Sequence, residues 1–570
     1  MAFDFRKYAP FAPIQKPDRR WPSRVIERAP VLCAVDLRDG NQALVRPMTV
    51  EQKKRLFSLL VRIGVKEIEV GFPSASQPDF DFVRALIEEN LVPEDVTIQV
   101  LTQAREDLIA RTFESLDGAR RAIVHLYNST STVQRERVFG MDRDGIRGIA
   151  VRGAECILAH ALARPGTEWI FEYSPESFTG TELDFAAEVV NAVLAVYRPD
   201  LGRKVIVNLP ATVEMSTPNV YADMIEWMTE HIDHRELVQV SLHTHNDRGT
   251  GVAAAELGVM AGADRVEGTL LGNGERTGNM DLVTFAMNLY SQGIDPKIDL
   301  SDMRTIIETV EYCTDIETHP RHPWAGELVY TAFSGSHQDA IRKSLHAQRP
   351  DEPWQVAYLP IDPSDLGRRY EEVVRINSQS GKGGVLHVLE RDHGITLPRW
   401  LQIELSRVVQ QEAERDGGEV EAERVRRLFD ETYVTVPAGF RMDGYAVSRD
   451  SGKVRAEVQV GGRTVTGEGG GTVEALLAAV APRGDVRVEA FDEMAVERGT
   501  TATAMASVRL ACGGETSVGV AFAADTTGAA FQAVLTALGR LGGFARRFEQ
   551  RFTVRTASPG HATRGEARRE

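Results

Sequence analysis

LVQVSLHTHNDRGTGVAAAELGVMAGADRVEGTL, residues 237–270, is the stretch that decides the fold. Its first seven residues form a short apolar run with β-branched side chains. GVAAAELGVMAGA (251–263) is a helix-forming stretch, and DRVEGTL (264–270) returns to a strand pattern. A strand, a helix and a second strand joined by short polar loops is the repeating unit of an α/β fold with a parallel sheet. Working outward, similar strand runs stand at VLCAVD (31–36), VKEIEVGF (65–72), VTIQVL (96–101), RAIVHLY (121–127), EWIFEYS (168–174) and KVIVNLP (204–210).

Amphipathic helical stretches separate these runs. In TVEQKKRLFSLLVRIG (49–64), Thr49 and Gln52 have capping-box spacing, and Leu56, Leu59, Leu60 and Ile63 make one apolar stripe. Eight strands, each followed by a helix, within about 260 residues predict a (β/α)8 TIM barrel over 31–300. An open doubly wound sheet fits less well. It has fewer strands and favours a glycine-rich phosphate loop after the first, where this chain has Arg-Asp-Gly-Asn-Gln.

Residues 1–30, rich in Pro and Arg, read as an extended arm. Residues 301–430 read as helical linker subdomains, with loops at 346–368 and 376–384. From 431 to 555 the composition shifts to short strands with many Gly, Val and Ala. There RAEVQVGGRTVTGEGGGTVEALLAAV (455–480) resembles AMASVRLACGGETSVGVAFAADTTGAAFQAVLTAL (504–538). This internal repeat of strand, Gly-Gly turn, strand and helix predicts a small α+β domain with pseudo-twofold symmetry. The tail, 556–570, reads as disordered.

The chain has 570 residues, so more than one core is required. Its 66 basic and 82 acidic residues give a net charge of −16, which argues against nucleic acid or an anionic membrane as partner. Four scattered cysteines without a Cys-x-x-Cys pair argue for a reducing compartment. Neither a signal-peptide core nor an apolar run of membrane-spanning length is present, so the expected location is cytoplasmic.

The strongest chemical signal is His243-Thr244-His245, at the end of the seventh strand run. Residues i and i+2 of a strand share a face, so both imidazoles can face the mouth of the barrel. Asp39 is read as ending the first strand, in Asp36-Leu37-Arg38-Asp39-Gly40, and Asn279 lies in the loop GNGERTGN (272–279) after the eighth. In a closed barrel strands 1, 7 and 8 are neighbours, so one carboxylate, two imidazoles and an amide oxygen converge. Such N/O donors suit Zn²⁺, Mn²⁺, Mg²⁺ or Co²⁺. Arg38, beside Asp39, is a candidate cation for an enolate or alkoxide oxygen. His125, Glu176 and Thr212 fall at or after the fourth, fifth and sixth runs. Taken singly, each has an ordinary reading: a core histidine, a loop carboxylate and a helix cap.

Six segments together resemble the 2-isopropylmalate synthase family, within the acetyl-CoA-dependent Claisen-condensing TIM barrels. They are LRDGNQAL (37–44), EYSPESFTGTELDFA (172–186), NLPATVEMSTPNVYAD (208–223), SLHTHNDRGTGVAAAELGVMAGADRVEGTLLGNGERTGN (241–279), YTAFSGSHQDAI (330–341) and YLPIDPSDLGRRYEEVVRINSQSGKGGV (358–385). The resemblance covers nearly the whole chain and fits the longer, actinobacterial-type form with a leucine-sensing C-terminal domain. It implies that Asp39, His243, His245 and Asn279 hold a divalent metal (Mg²⁺, Mn²⁺ or Zn²⁺), with K⁺ as a candidate activator. Arg38 would polarise the 2-oxo carbonyl. Leu101, His125, Ser174, Asn208 and Thr212 would line the 2-oxoisovalerate pocket, and Glu176 would serve acid–base chemistry. His337 and Tyr358 would complete the site of the partner subunit in a domain-swapped homodimer.

Leucine-inhibited relatives carry a Gly-x-Gly element where this chain has Gly519-Val520-Ala521, so leucine feedback is expected to be weak, altered or absent. FDEMAVERG (491–499) also lacks the Tyr and His expected beside it. Rival readings are homocitrate or citramalate synthases, a secondary-metabolism paralogue, a 3-hydroxy-3-methylglutaryl-CoA lyase-like enzyme, a metal hydrolase and a non-enzymatic amino-acid sensor. Such a lyase would lack the C-terminal repeat, and amidohydrolase barrels carry His-x-His on the first strand. A sensor would not need the metal ligands. Gly381-Lys382-Gly383-Gly384 reads as a flexible loop rather than a CoA phosphate contact.

Overall fold

In the computed structural model of the chain, which describes residues 14–368, 389–390, 393–416, 420–481, 484–496 and 503–553, eight parallel strands close into a barrel. They are β1 (Val31–Ala34), β2 (Glu67–Gly71), β3 (Thr97–Gln103), β4 (Arg121–Ser129), β5 (Glu168–Glu176), β6 (Lys204–Ala211), β7 (Val238–Thr244) and β8 (Arg265–Gly268). Closure is made by β1 against β8, with Val31 opposite Arg265 and Ala34 opposite Gly268. The helix Val50–Arg62 starts at the expected capping box, and Leu56, Leu59, Leu60 and Ile63 are buried. The last barrel helix is Leu282–Tyr290.

The chain divides into two compact units. One runs to Tyr330 and includes a short segment from Pro360; the other holds Thr331–Leu359 and the C-terminal residues. The interval 301–430 is shared between them. Among the described residues its α-helices include Met303–Thr314, Gly335–Ala347, Arg399–Asp416 and Ala422–Phe429. The tail 556–570 and Gly381–Gly384 lie outside the described residues, as do 1–13 of the arm. The described part of the arm is anchored on helix Pro218–His231. There Glu226 accepts the backbone N–H of Trp21 at 2.9 Å, and Asp223 accepts the Trp21 indole N–H at 2.9 Å.

The C-terminal unit holds two antiparallel sheets, β11-β10-β9 and β12-β13-β14. They comprise β9 (Met442–Asp450), β10 (Lys453–Val460), β11 (Arg463–Gly469), β12 (Val486–Ala495), β13 (Ala504–Cys512) and β14 (Glu515–Ala523). Each repeat is thus strand–strand–strand–helix, which corrects the expected strand–strand–helix. The added strands β9 and β12 expose residues on both faces and so lack the alternation that marks a half-buried strand. Gly519 has an internal reason. A Cβ there would stand 2.1 Å from the Ala533 carbonyl oxygen, so the glycine lets helix Thr526–Arg540 lie directly on β14.

Candidate active site

Side chains on the barrel strands alternate between the helix layer and the interior, so every second residue points inward. On β7 these are Ser241 and His243, and His245 follows in register, bridged to Asn279. Asp39 does not end β1. It stands in a single π-type turn, Asp36–Gly40, whose Gly40 N–H reaches the Val35 carbonyl at 3.2 Å. Such turns recur at functional sites because they re-aim side chains. Here the turn buries both Arg38 and Asp39 at the mouth.

Three of the four expected ligands, Asp39, His243 and His245, meet. Asp39 Oδ2 lies 3.1 Å from His243 Nε2 and 3.5 Å from His245 Nε2, and the two imidazole nitrogens are 3.3 Å apart. Donors about 2.1 Å from one ion stand about 3.0–3.4 Å from each other at octahedral to tetrahedral angles, so the residues fit a divalent cation. Asn279 Nδ2 is 2.6 Å from Asp39 Oδ2 and 3.1 Å from His243 Nε2, while its buried Oδ1 has no partner. Turning the amide over presents that oxygen to the centre beside Asp39 and the two imidazoles, a set of donors that suits a cation.

The electrostatics agree. Burial opposes a charge on His243, yet hydrogen bonds and charges from Asp39 and Glu267 outweigh it and push the imidazole up to about 9. Burial and the His243 cation together push His245 down to about 4. Burial also opposes ionisation of Asp39, but Arg38 and His243 hold it far below the usual carboxylate range. The cluster thus favours positive charge at its centre.

The loop 272–279 is built to deliver Asn279. A Cβ on Gly274 would fall 1.7 Å from Asn279 Oδ1, so only glycine leaves room for the amide. Arg276 braces the same loop by donating to Asp247 at 2.7 Å and to the Thr212 carbonyl.

A cavity of about 260 Å³ opens over this cluster. Arg38, Asp39, His243 and His245 line it, together with Leu101, His125, Ser174, Glu176, Asn208 and Thr212, all singled out from the sequence. Sequence reasoning missed Phe72, Tyr127, Pro210, Glu275 and Arg276, which also line it. Tyr127 and Pro210 lie two residues beyond His125 and Asn208, a signal the strand period carries. His125 lies within β4 rather than at its end. Glu176 ends β5 and accepts a hydrogen bond from Ser129. His337 and Tyr358 belong to the other unit, where their rings stack with centroids 4.0 Å apart.

Below the mouth lies a buried network that sequence reasoning also missed. Arg38 donates to Glu69, whose Oε2 is 2.9 Å from His125 Nδ1. Gln99 Nε2 sits 2.7 Å from Glu69, 3.0 Å from Glu267 and 3.3 Å from His125, filling the centre of a second carboxylate–imidazole trio. The signal was present: charged residues at every second position of apolar strands, as in Glu67 and Glu69 or Arg265 and Glu267, are rare unless they are paired inside.

The HMGL-like family model matches residues 29–310, the stretch that forms the closed barrel whose mouth gathers a carboxylate and two imidazoles. Two further models match: "Alpha-isopropylmalate synthase, post-catalytic domain-like" at 327–390 and "LeuA allosteric (dimerisation) domain" at 419–541. The chain is 62% identical over 548 residues to the 2-isopropylmalate synthase of Alcanivorax borkumensis, covering 95% of this chain and 98% of that one. It is 54% identical to that of Pseudomonas savastanoi (94% and 97% covered) and 55% identical to that of Kineococcus radiotolerans (94% and 98%). The chain belongs to the 2-isopropylmalate synthase family.

Proposed function

We propose that the chain condenses acetyl-CoA with 2-oxoisovalerate and water to give 2-isopropylmalate and CoA, the first committed step of leucine biosynthesis. The carrying observation is near-full-length kinship to 2-isopropylmalate synthases together with an intact Arg38, Asp39, His243 and His245 mouth. A base takes a proton from the acetyl methyl group, a bond forms from that carbon to the keto carbon as the keto π pair moves onto oxygen, and the new alkoxide takes up a proton to become the product hydroxyl. Water then adds to the thioester, the C–S bond breaks, and CoA leaves as the thiol.

When bound at Asp39, His243, His245 and Asn279, a divalent ion (Mg²⁺, Mn²⁺ or Zn²⁺) supplies Lewis acidity to the oxo acid. Arg38, fixed by Glu69 and by Asp39 at 3.1 Å, stabilises the new alkoxide without moving. Leu101, His125, Ser174, Asn208 and Thr212 hold the oxo acid. Ser174 Oγ lies 2.7 Å from His125 Nε2 and accepts from Asn208 at 3.0 Å, so this wall is already ordered. Glu176 and His337 are the candidate bases, with Tyr358 beside His337, each contributing about 10²–10⁴-fold. The LeuA dimerisation domain supports a homodimer, and we assign the swapped arrangement in which His337 and Tyr358 serve the partner's barrel. Residues 31–300 are the catalytic barrel and 431–555 the regulatory domain. No described helix is long and apolar enough to cross a membrane, and a biosynthetic role fits the cytoplasm.

The test is thiol release from acetyl-CoA with a panel of 2-oxo acids, with and without chelator. Release with 2-oxoisovalerate that stops on chelation is expected. Silence with every acid despite bound metal would remove the assignment.

A further inference from the structure

We propose that Glu267 is a positioning residue for the metal site: it fixes which nitrogen of His243 faces the cation and raises that nitrogen's donor strength. The inference rests on the metal-site reading above. Glu267 stands on β8, fully buried, and its Oε2 lies 2.7 Å from His243 Nδ1. A carboxylate in that place accepts only, so Nδ1 carries the hydrogen and Nε2 turns its lone pair toward Asp39 and His245. Ligating histidines gain both orientation and basicity from such a partner.

The surrounding hydrogen bonds leave Glu267 little freedom to do otherwise. Its Oε1 accepts from Arg265 Nη1 at 2.7 Å and from Gln99 Nε2 at 3.0 Å. Gln99 is itself oriented from both ends. Its carbonyl oxygen accepts from Arg265 Nη2 at 2.7 Å, so its amide nitrogen must face the carboxylates of Glu69 and Glu267. Arg265 is locked in turn by Glu67 at 2.6 Å and by Ser241 at 2.8 Å. The carboxylate that addresses the metal ligand is therefore clamped from below by a guanidinium and an amide, neither of which reaches the ligands.

The competing role for Glu267 is to neutralise Arg265. Glu67 shares that role but touches no ligand, which gives the control. Mn²⁺ binding to the whole protein is measured by titration calorimetry for the wild type, Glu267→Gln, Glu267→Asp and Glu67→Gln, with thermal unfolding in chelator as the folding check. Glu267→Gln keeps the shape and loses the charge. Glu267→Asp keeps the charge beside Arg265 and withdraws it from Nδ1. Both are expected to weaken Mn²⁺ binding about 10–100-fold, with Glu67→Gln within about twofold of wild type. Should Glu267→Gln fail to fold, Glu267→Asp carries the test. Equal weakening by Glu67→Gln overturns the proposal in favour of charge neutralisation, as does wild-type affinity in a folded Glu267 variant. A wild-type protein that binds no Mn²⁺ or other divalent ion overturns the metal reading itself, a separate result from either.

Discussion

Inside the barrel, Glu67, Glu69, Gln99, Glu172, Arg265 and Glu267 occupy the space below the mouth, and Ile123, Ile170 and Ile206 form only a small apolar cluster. The C-terminal domain fills its interior differently, with Val458, Leu476, Val508, Phe531 and Leu535 among many alanines and valines. TIM barrels commonly pack this interior with branched apolar side chains. Burying charge instead costs desolvation that pairing rarely recovers, so such a network is a poor source of stability. What it supplies is direction: Arg38, His125 and His243 each meet a fixed carboxylate. The apolar core of the C-terminal domain has no directional demand and tolerates exchange of shape more readily. The comparison suggests that the barrel interior serves the site and the sandwich of sheets and helices serves stability.

The hardest blow to this contrast falls at the mouth. Asp39→Ala should weaken Mn²⁺ binding and thiol release by more than about 100-fold, the upper range for merely an outer partner of a ligand. Arg38→Gln should leave Mn²⁺ binding in place and lower kcat about 10²–10³-fold. If turnover survived Asp39→Ala, the mouth would not be the reaction centre.

Next come the two interiors themselves. Arg265→Met strands the buried carboxylates of Glu172 and Glu267 and should cost about 3–5 kcal/mol in denaturant unfolding. Leu535→Met, a volume-conserving exchange in the apolar core, should cost under about 1.5 kcal/mol. A barrel variant as mild as the apolar one would erase the distinction.

The smallest effect sharpens it from outside. Hydrogen bonding to Arg135 outweighs the burial of Glu182 and holds its carboxyl down to about 2. A depressed carboxyl adds stability above its unfolded value near 4.5, and that share is lost as pH falls through about 2. Arg135→Met should therefore flatten the acid limb of the stability profile. The amount, for a pair partly open to water, should stay under about 1 kcal/mol. A wild-type acid limb in this variant would assign the loss to other carboxylates.

The candidate mouth was legible because its signals are local. His243 and His245 announce a shared face by their spacing, and Asp39 at the end of the first strand and Asn279 after the eighth belong to strands whose order predicts adjacency. The π-type turn at Asp36–Gly40 was not legible, since no residue pattern marks an i→i+5 bond and the strand had seemed to run on to Asp39. Gln99, Arg265 and Glu267 looked like ordinary strand residues one at a time. Their meaning lies in contacts across 168 and 166 positions of chain, from Gln99 to Glu267 and to Arg265. β9 and β12 escaped for the opposite reason: both faces are open, and exposed strands leave no alternation to read.

By itself, the order of residues determined the eightfold strand–helix alternation, the types of ligand at the strand ends and the two-copy C-terminal domain. These follow from side-chain period and turn chemistry, which act over a few neighbours. Only the closed barrel decided that Asp39, His243 and Asn279 stand within 2.6 to 3.1 Å of one another, and that Glu267 meets Nδ1 of His243. Charge and tautomer are set by the partners and the low dielectric that folding gathers around a group. No stretch of chain contains those partners until the eighth strand meets the first.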